Sequence, residues 1–141
     1  MANGYLTAAS KLLANSSGQT FLPALFLLAH ALELHFKAYL ISRGVSETRL
    51  RSRELGHDLV ACFREGKVHG ICTYLALSKE QVYQLVRVSR YYQGKQLEYF
   101  APASKRFGSV EAFRVIVEQV SKAVFNPIAE GDFRALSSKA I

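Results

Sequence analysis

The sequence predicts an all-α fold, an up-and-down bundle of four to five helices around a central, apolar second helix. Three observations lead there. Apolar residues recur at intervals of three and four along five segments, the spacing that lines one face of a helix. No run alternates apolar and polar residues between hairpin turns, so strands are not expected. Residues 21–43 are apolar on most of their circumference, as befits a helix surrounded by others. With 141 residues, half of them hydrophobic and 21% charged, the chain has the size and composition of one globular domain spanning 1–141.

The first helix is expected over residues 4–14, with Leu6, Ala9, Leu12 and Leu13 forming its stripe. Asn15, Ser16, Ser17 and Gly18 read as a turn, and Thr20 as a cap for the second helix, with Pro23 in its first turn. In that helix Leu25, Leu28, Leu32, Phe36 and Tyr39 share one face. Leu27, Ala31, Leu34, Ala38 and Ile41 share the next, and Gly44 stops the helix. Residues 45–55 are rich in arginine and are expected to be helical only in part.

A third helix is expected over residues 57–65, ended by Gly66 and Gly70, with Asp58 placed to favour a helix N-terminus. Ser78 and Gln81 form a capping box for a fourth helix over 79–93, whose core face would be Val82, Leu85, Val86 and Ser89 before Gly94. The fifth starts near Ser109 and buries Val110, Phe113, Ile116, Val117, Val120 and Val124 until Pro127 stops it. Residues 94–108 are long for a loop in a compact bundle, a length often tied to function or mobility. The tail after about residue 126 is expected to pack loosely.

Composition narrows the function classes. The net charge of +7 and pI of about 9.6 permit a polyanionic partner and equally suit a merely soluble basic surface. Cys62 and Cys72 match no zinc or redox spacing, and two cysteines favour a reducing cytoplasm over secretion. The apolar run 21–29 is too short to span a bilayer and leads into His30, Glu33, His35 and Lys37, so no membrane partner is expected. His30 and His35 lie about 140° apart on their helix and cannot share an ion; no metal and no cofactor is expected.

The polar residues of the second helix carry the chemistry that can be read. His30, Glu33 and Lys37 form one narrow strip, with Glu33 and Lys37 an i,i+4 pair in the favourable order. They either form an ion pair that closes a seam between helices or line a pocket that orients a ligand or His57. His57 could act as a general acid or base, or its ring could bond a nearby carbonyl or Glu33 as a cap. No nucleophile elbow and no phosphate-cradling glycine loop accompanies it. Arg43, Arg49, Arg51, Arg53, Arg64 and Lys67 crowd this region, and Arg87, Arg90, Tyr91 and Tyr92 add charge and stacking surface. Such interleaving suits single-stranded nucleic acid, while a solvated face balanced by Glu47, Glu54 and Glu65 accounts for it equally.

Ala31-Leu32-Glu33-Leu34, then Lys37-Ala38-Tyr39-Leu40, then Gly44 and Gly56-His57-Asp58-Leu59 resemble the HEPN superfamily of small prokaryotic helical domains. There, E-x-x-x-K and G-H-D-L patterns lie on successive helices. The resemblance covers residues 20–70 and implies a helical bundle, often dimeric. It also implies a module that binds a nucleotide, RNA or a cognate protein partner. The candidate ligand-binding residues are Glu33, Lys37 and Asp58 of these motifs, with Arg90 and Tyr91 from the charged and aromatic end of the fourth helix. Many HEPN proteins are metal-independent ribonucleases of toxin–antitoxin or phage-defence systems that carry R-x4-6-H. Arg51 and His57 fit this as R-x5-H, and would then hold the phosphate and assist 2′-OH attack. Here the motif lies early and coincides with the G-H-D-L turn, whereas nuclease members place it on a late helix. A homodimer is expected, since the apolar circumference of the second helix exceeds what one small bundle easily covers. A third alternative is a dimeric scaffold in which the polar strip fixes register.

Overall fold

The computed structural model describes residues 1–14, 21–94 and 109–139, with side chains through Phe125. All regular structure among these residues is helical. Six helices follow in order: α1 (Ala2–Ala14), α2 (Phe21–Ser42), α3 (Glu47–Leu50), α4 (Leu59–Val68), α5 (Lys79–Gln93) and α6 (Val110–Lys139). A single 3-10 turn, Ile71–Thr73, links α4 to α5. The one-turn α3 is the helical part of the arginine-rich stretch and accounts for the helix beyond the expected five. Residues 15–20 and 95–108, with the predicted turn, the Thr20 cap and the long loop, lie outside the described residues, as do the side chains of the predicted loose tail.

α2 is the hub, touching α1, α4, α5 and α6. Leu25, Leu28, Leu32, Phe36 and Tyr39 are almost completely buried. The neighbouring face is covered only at its start: Ala31 is buried, Leu34 half-buried, and Ala38 and Ile41 are exposed. By length and composition α2 could cross a membrane, but most of it is enclosed by the other helices. It ends in a Schellman motif, with Gly44 N–H donating to the Ile41 carbonyl and Val45 N–H to the Leu40 carbonyl, both at 3.0 Å. Gly44 has φ +90°, where a side chain would be strained.

Four expectations need correction. α4 begins at Leu59 rather than at 57, because Asp58 itself is the N-cap and accepts from Ala61 N–H. It also runs through Gly66, which sits inside the helix because a Cβ there would press to 3.3 Å from Ile71 Cγ2. On α5 the core face is Leu85, Val88, Ser89 and Tyr92, a stripe of equal width turned so that Val82 is only half-buried and Val86 is exposed. α6 does not stop at Pro127 but continues to Lys139. A proline removes one helical hydrogen bond and disfavours, without forbidding, helical geometry at the residue before it. The six predicted core residues of α6 are all buried.

Candidate functional site

The site is assembled around one carboxylate. Glu33 lies midway along α2 on the side facing α4 and α5, and only 3% of it is exposed. One turn on, Lys37 donates from Nζ to Glu33 Oε1 at 2.6 Å. Tyr92, from the end of α5, donates its hydroxyl proton to Oε2 at 2.5 Å. His57, in the turn before α4, places Nδ1 3.0 Å from the same oxygen. Burial pushes the Glu33 carboxyl up, but the bonds from Lys37, Tyr92 and His57 and the Lys37 charge outweigh it. They hold Glu33 below the ordinary carboxylate value. The carboxylate is therefore ionised near neutrality.

The proton positions follow. An ionised carboxylate only accepts, so His57 Nδ1 carries a proton toward Glu33, and in the neutral ring Nε2 becomes the acceptor. The single hydroxyl proton of Tyr92 goes to Glu33, so His30 Nδ1, 2.9 Å from that hydroxyl, must donate to it. His30 is held edge-on by Tyr5 of α1, with ring centres 4.6 Å apart, and lies parallel to Phe26. His57 stands edge-on to Tyr92 and keeps 61% of its side chain exposed. The cluster is a buried anion with one exposed imidazole on its rim.

The turn carrying His57 is fixed from beneath. Asp58 Oδ1 accepts from Ala61 N–H at 3.0 Å and from the Ser89 hydroxyl at 3.3 Å. Ser89 in turn accepts from Leu59 N–H at 3.0 Å. One buried serine on α5 thus holds the start of α4, and with it His57, against the carboxylate.

The structure brings together Glu33, Lys37 and His57 of the candidate residues. It leaves Arg51 out of the hydrogen-bonded cluster: Arg51 is 83% exposed and faces Glu47 at 3.6 Å. Arg51 and Lys37 do line one shallow depression of about 500 Å³ beside α2. Asp58 serves as the helix cap, Arg90 is exposed on α5, and Tyr91 is half-buried against the core. The basic region is partly neutralised, since Arg49 reaches Glu65 through two bonds of 3.2 and 3.3 Å and Glu54 through a third. Sequence reasoning missed Tyr92 as a member of the site and left His30 without a role. The available signal was spacing: Tyr92 follows Leu85, Val88 and Ser89 by seven, four and three residues, on the face that meets α2.

Among the described residues no group of three or more histidine, cysteine, aspartate or glutamate side chains is arranged to hold a metal ion. Comparison with protein-family models, curated proteins and solved structures finds no match for this chain.

Proposed function

We propose that the chain is a HEPN-like helical module that binds a phosphate-bearing ligand, a single-stranded RNA or a nucleotide, through the exposed His57 ring and the depression lined by Lys37 and Arg51. The six helices are read as an up-and-down bundle about α2, since short connections favour antiparallel neighbours. The observation that carries the reading is the exposed His57 ring, anchored through Nδ1 to a buried, ionised carboxylate. A histidine serving only to satisfy Glu33 gains nothing from an open outer edge, whereas a ligand-facing one needs it. Lys37 spends one of its three donors on Glu33, and Arg51 offers a planar fork suited to phosphate oxygens. Dimerisation is not part of this reading: on α2 Pro23, Ala38 and Ile41 are exposed, and the other positions are buried or half-buried within one chain.

Fluorescence anisotropy with a short labelled RNA, and calorimetry with ATP, test the proposal. Binding should weaken with salt, and Arg51→Ala should reduce the slope of log K against log salt by about one. Absence of binding to either ligand at low salt, or binding indifferent to Arg51→Ala, Lys37→Ala and His57→Ala together, rules it out.

The orientation of His57 also favours a second reading, the metal-independent endoribonuclease. Nε2 of a neutral His57 would take the 2′-OH proton, the 2′-oxygen would attack phosphorus, and the 5′-oxygen would leave, taking a proton from water, to give a 2′,3′-cyclic phosphate and a 5′-hydroxyl. Glu33 would stabilise the imidazolium so formed. RNA cleavage in the presence of a chelator should then fall by roughly 10²-fold or more in His57→Ala, and comparably in Arg51→Ala. A wild type inert in chelator ends this reading and leaves the binding module standing.

A further inference from the structure

Helices α4 and α5 carry one carboxylate each, and both are turned aside. Glu65 of α4 faces α3, where Arg49 reaches it. Glu80 of α5 faces α6, lining with Ala112 and Val115 a concavity edged by Lys79 and Tyr83. The outer side that the two helices share is left to cations. Arg64 and Lys67 lie about 100° or more round α4 from Glu65, and Lys79, Tyr83, Val86 and Arg90 form a row on α5 centred about 90° from Glu80. The two rows are neighbours. Ser89, just round α5 from Val86 and Arg90, accepts from the backbone of Leu59 and Val60 at the start of α4. The opposite flank of α5 is given to α6, through the bond from Gln81 to Gln119.

Arg64, Lys67, Lys79 and Arg90 are all exposed, and none forms an ion pair among the described residues. The arginines before α4 differ, since Arg49 and Arg51 both face glutamates. Positive charge that is dense in the sequence there is offset, while the α4–α5 face keeps all of its own. Tyr83 stands within this face, 63% exposed, with the Arg87 guanidinium 5.6 Å from its ring centre. One side of the ring is steadied and most of it stays open. Arg90 lies between Ser89, which holds the turn before α4, and Tyr92, which meets His57 edge-on, so the face ends at His57.

We propose that the α4–α5 face is a track for a single-stranded polynucleotide, its phosphates following Arg64, Lys67, Lys79 and Arg90 and a base stacking on Tyr83. A surface of one sign, without interleaved acids, suits a polyanion, and an open aromatic ring suits an unpaired base. A duplex hides the faces of its bases, and an acidic polypeptide brings no base to stack. Lys79 and Arg90 are eleven residues apart on one helix, about 16 Å, which exceeds the reach of a mononucleotide. The inference deepens the function proposed above and rests on it in one respect, that the ligand carries phosphate.

The test is fluorescence anisotropy on the full chain with labelled oligoriboadenylates of increasing length, beside a duplex, polyglutamate and inorganic polyphosphate. Affinity should rise with strand length until the strand spans the face. Arg64→Gln, Lys67→Gln, Lys79→Gln and Arg90→Gln should each lower the slope of log K against log salt by about 0.7, with an unchanged circular-dichroism spectrum. Tyr83→Ala should weaken the strand roughly tenfold and leave polyphosphate unaffected. The same series in oligodeoxyadenylate shows whether the track takes RNA, DNA or both, and binding of either bears the proposal out. Equal binding of the duplex or of polyglutamate overturns it, as does a strand indifferent to Tyr83→Ala or to the four cation variants combined. Strand binding that falls only with His57→Ala, Lys37→Ala and Arg51→Ala together overturns the track and leaves the earlier reading standing. Strand binding that survives those three and falls with the face variants keeps the track and removes the earlier site.

Discussion

At the scale of residues, the three partners of Glu33 are not equivalent. Tyr92→Phe strips a bond from a buried charge and leaves His30 facing a ring instead of a hydroxyl, so it should cost roughly 1.5–3 kcal/mol. His57→Ala removes a bond from a mostly exposed ring that water can replace, and should cost about 1 kcal/mol or less. Urea denaturation of the two variants checks the order, and a larger loss for His57→Ala would contradict it. Acid should also destabilise the fold in two stages. Burial, assisted by the N-terminal amine, holds His35 below its ordinary 6.5, so the unfolded chain takes up a proton there before the folded one. Stability from His35 is complete above that value and declines as pH falls below it. Glu33, also held low, adds a further decline below its ordinary 4.5. His35→Leu should flatten the first stage and leave the second, as read from melting temperature against pH.

At the scale of elements, α4 depends on a cap shared with another helix. Asp58→Ala and Ser89→Ala should each cost roughly 1–2 kcal/mol. Their double mutant should cost less than the sum, because both side chains satisfy the same helix start. Strict additivity in a double-mutant cycle would refute the shared cap. The helices themselves were legible where a local signal sets them: the Ser78–Gln81 capping box lies where expected, and Gly44 ends α2 as its sequence suggests. What was not legible is what only packing decides. The rotation of α5, which buries Val88 and Tyr92 fully, leaves Val82 half-buried and turns Val86 outward, follows from contact with α2, α4 and α6 rather than from propensity. Of the site, the Glu33–Lys37 pair is local to one helix and could be read directly. Arg90 and Tyr91 were chosen for their composition, yet the side chain that reaches the carboxylate is the next one along, Tyr92. Only the three-dimensional meeting of α2 and α5 distinguishes them.

At the scale of the molecule, one core cluster draws on all five longer helices and on Leu50 of the short α3, so unfolding should be a single cooperative transition. The two cysteines report on it differently. Cys62 is buried, and burial pushes its thiol up to about 12, whereas Cys72 is exposed. A thiol reagent should therefore label one site rapidly in the native protein and the second only at the rate of global opening. Rapid labelling of both would show that the core around α4 opens on its own.

The sequence separation of the Glu33 cluster bears on how the chain is made. α2 leaves the ribosome well before residues 57 and 92, which supply two of the three bonds to its carboxylate. In that interval a helix long and apolar enough for a bilayer has only α1 of its partners beside it. Glu33 and Lys37 lie near its middle, where a single charged side chain costs about 2.5–3.5 kcal/mol for insertion by the translocation machinery. The same pair that anchors the finished site thus opposes diversion of the unfinished chain into lipid. Arrival of Tyr92 completes the bonds to the carboxylate, but the centre of the bundle can close only once α6 has been made as well.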